Sequence, residues 1–419
     1  MEIINNIKNN KSLVESFFSL SILNGLNVIL PLITLPYILR VIGPANYGIY
    51  AFVSVLIQYC MLLNTYGFNF SATKQVSQYR HDEKELSRIY SAVIICRLLL
   101  AFVAFIFLFG LSVLFISSKT ELIMLFWGIG MVIGDTFVPI WLFQGVEKMR
   151  YLTFVNVLSK VVFTILIFVF IHKASDYKYI IMLNSLGYIT AGLLSTILVI
   201  KNFNITFIVP KFKELIFQFK EGSALFGSTI GVELYRNANI FILRFFVNDA
   251  AVGIYAAAEK VIKGVQMIVS PIVQALFPHL SLKFNQQSLK DNLSTMKKII
   301  IRFSPIVFVI FILTFIFAPW LSALLCGNYY QSAVKLIRIM SPIIFIGGLN
   351  YVLGIVGLVN LNQQNYFFKS VLFSGVVSVT FVLLTVNVYG SAAAAWAMTL
   401  SEIVLFCFCI FYFFKLARQ

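Results

Sequence analysis

The chemically capable side chains of this chain sit inside stretches that are otherwise greasy. In the stretch 250–278, Glu259, Lys263, Gln266 and Ser270 are spaced i, i+4, i+7, i+11, which keeps them within about 60° of one another on a helix. By the same arithmetic Thr229, Glu233, Arg236, Asn237 and Arg244 share a face of 222–246. Stretch 14–39 is interrupted by Asn24 and carries Ser16, Ser19, Asn27 and Thr34 in a stripe, with Arg40 just beyond its end. Stretch 47–70 carries Ser54, Gln58 and Thr65. A cation facing lipid at mid-bilayer costs about 2.5–3.5 kcal/mol even on lenient insertion scales. Several together are tolerable only if they face a water-filled cavity or each other.

Both solutions stay open for the close pairs. Glu259–Lys263 and Glu233–Arg236 read either as lining of a wet passage or as structural pairs that neutralise themselves and glue helices. The pair reading accounts less well for Arg40 and Arg244, which occupy matching sites about 204 residues apart. Arg97 lies deep in its stretch and fits either role, whereas Lys160, Arg302 and Arg338 lie near helix ends, where snorkelling suffices. The acids Asp135, Glu233, Glu259 and Glu402 carry a proton or sodium in one reading and serve as partners of the bases in the other. Asp135 precedes Pro139, so a kink that frees backbone groups beside a carboxylate is expected. Pro31, Pro36, Pro271 and Pro278 likewise fall in polar-faced stretches and predict bent helices.

Other chemistries lack their residues. Gly222–Thr229 mimics a phosphate loop without its lysine or a preceding strand. His81, His172 and His279 lie in different segments, and the five cysteines are scattered without a C-x-x-C, so no metal site, cofactor or disulfide framework is expected. No long outer loop is available to house a glycan polymerase's catalytic residues.

The elements that position these groups are membrane helices. With 60% hydrophobic and 11% charged residues, the chain departs far from a soluble globule, in which roughly a quarter of residues are charged. About twelve apolar runs are long enough to cross a hydrocarbon core: 14–39, 47–70, 89–116, 121–143, 152–171, 179–200, 222–246, 250–278, 299–325, 336–359, 366–386 and 391–414. The net charge of +16 falls almost wholly in alternate loops. Lys74 to Arg88, Lys201 to Lys220 and Lys283 to Lys298 are basic, and the intervening loops hold little beyond Lys119, Lys173, Lys178 and Lys335. By the positive-inside rule both termini are cytoplasmic, and a nucleic-acid partner is not expected. The first run is too long, and lacks a small-residue cleavage site, for a secretory signal. In the loop KNFNITFIVPKFKELIFQFK, basic and apolar residues alternate; it reads as a plain linker or as a segment lying on the anionic inner leaflet.

A unit is used twice. Ile38-Leu39-Arg40, a break at Gly43-Pro44 and Gly48-Ile49-Tyr50-Ala51 return as Ile242-Leu243-Arg244, a break at Asn248-Asp249 and Gly253-Ile254-Tyr255-Ala256. Arg97 and Arg302 keep the offset of about 205 residues. The expectation is an all-α membrane protein of about twelve transmembrane helices in two pseudo-symmetric six-helix lobes, 1–205 and 206–419, related by an axis along the membrane normal.

The stretch LPYILRVIGPANYGIYAF, from Leu35 to Phe52, resembles the first-loop signature of the Wzx-type O-antigen and O-unit flippases. These belong to the multidrug/oligosaccharidyl-lipid/polysaccharide exporter superfamily. Trp141 to Tyr151, WLFQGVEKMRY, is similar to that family's short cytoplasmic turn. The resemblance implies a two-lobe, MATE-like transporter of the bacterial inner membrane with a cationic lumen lined by the first two helices of each lobe. Its implied cargo is an oligosaccharide on undecaprenyl diphosphate, and a polysaccharide polymerase and a chain-length regulator are the implied partners. Under it Arg40, Arg236 and Arg244, with Lys263 and Arg97, are expected to meet the diphosphate, since arginine holds phosphate through paired hydrogen bonds. Asn24, Asn27, Gln58, Asn237 and Gln266 are expected to meet sugar hydroxyls. The rivals are a cation-coupled exporter of small solutes from the same superfamily, a membrane-embedded glycan enzyme, and an assembly scaffold.

Overall fold

The computed structural model describes residues 11–116, 118–267, 280, 284, 287–327 and 330–418. Within these, side chains are described except at 11–24, 26–29, 114, 115, 224, 225, 227–229, 232–236, 325, 326 and 330. The described residues are almost entirely helical and contain no strand. Nine segments among them are long and apolar enough to cross a membrane. One of these, Leu30–Gln78, holds the end of the first expected run and all of the second. Pro271, Pro278 and Ser270 lie outside the described residues.

Helix α1 runs Lys11–Thr65 with one non-helical residue, Gly43, at φ 74 and ψ 166. That conformation is essentially reserved for glycine, and it places the break where the repeat motif predicts it. Tyr66 and Gly67 both take positive φ and separate α1 from α2, Phe68–Gln78. Helix α3, Glu83–Phe115, starts on Asp82, whose carboxylate accepts from the N–H groups of Lys84 (3.0 Å) and Glu85 (3.1 Å), a local signal for initiation. Its Phe102, Ile106, Phe109 and Val113, at i, i+4, i+7 and i+11, are all exposed, the stripe expected of a lipid-facing helix. Helix α4, Lys119–Thr136, ends before Pro139, and the chain resumes as the short α5, Ile140–Gly145, so the kink expected at Pro139 is a full break. Helices α6, Met149–Phe170, and α7, Tyr177–Phe203, follow.

Helix α8, Phe212–Phe246, begins ten residues earlier than the apolar run does, and α9, Asp249–Gln266, follows after Val247 and the N-cap Asn248. Beyond it stand α10, Leu289–Ile316, α11, Ala318–Cys326, and α12, Tyr330–Met340. Helix α13, Pro342–Tyr351, continues as a π-helical stretch, Val352–Val359. Helices α14, Gln364–Tyr389, and α15, Ser391–Ala417, complete the chain.

The chain divides into two compact units. The first comprises Phe52–Ile230 with the described residues up to Thr34. Its core centres on α5, whose Trp141, Leu142 and Phe143 are fully buried against Phe68, Tyr90 and Val155. The second comprises Gly231–Gln419 together with Leu35–Ala51. Its helices pack through small residues: Ala393, Ala394, Ala395 and Ala397 of α15 are fully buried. Without side-chain bulk the backbones approach closely, the usual basis of helix association in lipid.

Candidate functional site

In the second unit the two copies of the repeat lie against one another. A methyl group built on Gly48 would overlap the carbonyl oxygen of Asp249 and stand 2.9 Å from the nitrogen of Gly253. A methyl on Gly253 would overlap the carbonyl oxygen of Pro44 and stand 2.9 Å from the nitrogen of Gly48. The contact is reciprocal: Pro44 corresponds to Asp249, and Gly48 to Gly253, at the repeat offset of about 205 residues. The segment after the Gly43 break thus meets the start of α9 backbone to backbone.

Arg40 and Arg244 flank this junction in sequence. Arg40 is exposed, and its Nη2 donates to the carbonyl of Leu324 at 2.8 Å, in the last turn of α11, where a cation complements the helix dipole. Arg244 is half-buried and pairs with Asp249 in the first turn of α9. On α9, Lys263 Nζ lies 3.0 Å from Glu259 Oε1, with the carboxylate side chain 5% exposed and the lysine 41% exposed. Glu259 therefore serves as the buried anchor of a cation that remains accessible. One turn further, the Gln266 amide donates to the carbonyl of Ile343 at 3.3 Å and sits over Gly347, whose missing side chain makes room for it and for the Glu402 carboxylate. Glu402 in turn accepts from Asn350 Nδ2 at 2.7 Å. Asn237 is half-buried. The side chains of Arg236 and Glu233 lie outside the described residues.

In the first unit Arg97 is 4% exposed and belongs to the α4–α5 break. Its Nη2 donates to Asp135 Oδ2 at 2.5 Å. Its Nη1 donates to the carbonyls of Thr136 (3.2 Å), in the last turn of α4, where carbonyls lack helical donors, and Val138 (3.3 Å), just beyond it. Gln58 is exposed on α1, and the side chains of Asn24 and Asn27 lie outside the described residues. Among the described residues no cluster of three or more His, Cys, Asp or Glu side chains is placed to hold a metal.

Three asparagines that the polar-face arithmetic passes over hold helices together. Asn64 Nδ2 donates to Thr136 Oγ1 (2.9 Å) and the Val132 carbonyl (3.3 Å). Asn239 Nδ2 donates to the Tyr255 hydroxyl at 3.0 Å and to the Ala394 carbonyl at 3.5 Å. Asn350 Nδ2 also reaches the Glu402 carbonyl at 2.9 Å. The signal available in sequence is a single amide set off the polar face of its run, without periodicity to mark it.

The helical architecture with its broken spans is that of a multi-pass membrane transporter fold. An inward-facing multidrug resistance MATE family transporter of the MOP superfamily superposes with a TM-score of 0.71, covering 94% of this chain and 99% of its own at 10% identity. The lipid II flippase MurJ in an inward closed conformation superposes at 0.65, covering 97% and 90% at 13% identity. A family model for "Polysaccharide biosynthesis protein" matches residues 13–283, and the chain belongs to that family. It is 27% identical to a protein of Escherichia coli (strain K12) named "Putative O-antigen transporter", over 94% of this chain and 95% of that one. A protein of the same name from Shigella dysenteriae is 27% identical over 64% of this chain and 67% of its own.

Proposed function

We propose that this protein is a flippase that carries oligosaccharide repeat units linked to undecaprenyl diphosphate from the inner to the outer leaflet of the bacterial cytoplasmic membrane, by alternating access. The observation that carries the reading is kinship along nearly the full length of a relative named as an O-antigen transporter, on a fold shared with a lipid II flippase. The physical task fits the residues. A diphosphate and its sugars cannot enter hydrocarbon unaided, because charge and hydroxyls would be desolvated without partners. The polyprenyl tail stays in lipid while the head group passes along polar helix faces.

Arg40, Arg236, Arg244 and Lys263 are the cations assigned to the diphosphate, and Asn24, Asn27, Gln58, Asn237 and Gln266 the amides assigned to sugars. Arg97 is set apart from them: it is 4% exposed and its two terminal nitrogens already meet Asp135 and two carbonyls, which leaves only a buried, unpartnered Nε for a further ligand. The two-lobe division at 205/206, cytoplasmic termini, and partnership with a polymerase and a chain-length regulator belong to the same proposal.

Deleting the gene in a strain that makes the cognate glycan tests it. The expected result is loss of surface polysaccharide with lipid-linked units accumulating on the cytoplasmic face, and translocation restored by purified protein in vesicles. Unchanged surface glycan in a strain without a second flippase would overturn it. The MATE likeness favours one alternative, a cation-coupled exporter of small solutes, which predicts altered efflux and an intact glycan.

A further inference from the structure

We propose that the segment from Lys201 to Lys220, from the last turn of α7 to the first turns of α8, is a docking surface for anionic phospholipid head groups. It rests on the reading above only for placing this end in the cytoplasm. After α7 ends at Asn204, in the left-handed conformation, the chain is extended along the first turns of α3. The Thr206 N–H donates to Ser87 Oγ at 3.1 Å and the Ile208 N–H to Ser91 Oγ at 2.9 Å. Two residues of extended chain advance about 6.7 Å, and four residues of helix about 6 Å, so successive outward N–H groups find successive serines. The carboxylate of Glu83 secures the start by accepting from Asn204 Nδ2 at 3.1 Å. Ile205 is buried beneath this extended segment.

This clip fixes what faces outward. Phe207 (59%), Val209 (82%) and Phe212 (76%) are exposed, as are Ile216 and Phe217 on the first turns of α8. The patch follows in sequence the exposed stripe Leu193, Ile197 and Ile200 of α7, a helix apolar enough to cross the membrane. Lys201, Lys211, Lys213 and Lys220 are all exposed around it. None of them forms an ion pair with a described residue. The neighbouring sequence holds two acids, Glu214, which accepts from the Lys211 backbone N–H at 2.7 Å, and Glu221, so four lysines stand against two carboxylates. Large apolar side chains at the level of a span's end, with lysines in excess of carboxylates around them, match a surface that is apolar below and phosphate-bearing above. An uncharged protein face would account for the apolar patch but not for the excess of lysines around it.

The test uses the full chain in phosphatidylethanolamine bilayers doped with brominated lipid, whose bromines quench a touching indole. In the F212W variant, and independently in V209W, the fluorescence added over the parent protein is expected to be quenched more by brominated phosphatidylglycerol than by brominated phosphatidylethanolamine at equal mole fraction. An enrichment of up to about fivefold per lysine is the scale for a cation at an anionic surface. Adding K211Q/K213Q/K220Q should equalise the two lipids while leaving quenching itself. No quenching by either lipid would overturn the proposal and leave the patch to a protein. Equal quenching in the unmutated background would overturn the selection of anionic lipid. The readout involves no transport, so failure of the flippase reading leaves it standing.

Discussion

At Arg244 two roles compete for one guanidinium. It is paired with Asp249, so Arg244→Ala removes a cation and also strands a carboxylate. We expect Arg244→Ala to lower translocation about tenfold or more, since a hydrogen bond to a charged group is worth about 1.5–3 kcal/mol, with Arg244→Lys intermediate because lysine keeps charge without the fork. The double variant R244A/D249A separates the roles: it stays impaired if the arginine meets phosphate and recovers if its task is only to satisfy Asp249. Reconstituted transport at matched protein level reads the difference. Arg97 presents the contrasting case. Removing one partner of a buried pair costs about 3–5 kcal/mol, whereas replacing both with apolar groups is often neutral. Arg97→Met should therefore lower the melting temperature of the purified protein sharply and R97M/D135L much less. Equal losses would mean that the two side chains do not act as a pair. Arg97 also shows what the sequence leaves open at this scale: its depth is legible in the apolar run, but its partner, 38 residues away, is fixed only by the fold.

Among the elements, the junction of the two repeats is the most constrained. Overpacking a close contact costs about 1–3 kcal/mol, and here the atoms in the way are backbone, which cannot rotate aside. Gly48→Ala or Gly253→Ala is expected to open the junction, read as faster hydrogen exchange of the amides from Val252 to Ala256. Unchanged protection in both variants would mean that the junction accommodates a methyl group without opening. Gly43→Ala acts separately, through its φ of 74, at about 1–3 kcal/mol. Much of this level was legible beforehand. The repeat motif marks the Gly43 break, and Pro139 marks the end of α4. The break at Tyr66–Gly67 and the π-helical turn after Tyr351 were not legible, because apolarity reports burial in lipid and is blind to backbone geometry. Asn64, Asn239 and Asn350 escaped for a related reason. Their partners lie 72, 155 and 52 residues away; Asn64 and Asn239 fall off the polar faces of their runs and Asn350 is the one amide in its run, so periodicity has nothing to count.

For the whole molecule the distribution of lysine and arginine predicts orientation. The turn at Glu147–Lys148 and the segment 204–211 should be cytoplasmic, and the Lys173–Ser175 corner external. Phosphatase fusions active after Lys173 and silent after Lys148 are the expected outcome, and the reverse pattern would invert the proposed direction of transport. Local order supports the corner as a true reversal: the Asp176 carboxylate accepts from the N–H groups of His172 (3.0 Å) and Lys173 (2.8 Å), closing one span and starting the next. The mutual contact of Gly48 and Gly253 carries a consequence for descent. When one half of a duplicated chain gains bulk, the other half can normally shed some in return, yet glycine has no atom left to surrender. Neither position can therefore drift and be rescued by its twin, which makes a compensating exchange across this pair the one kind of covariation the contact forbids.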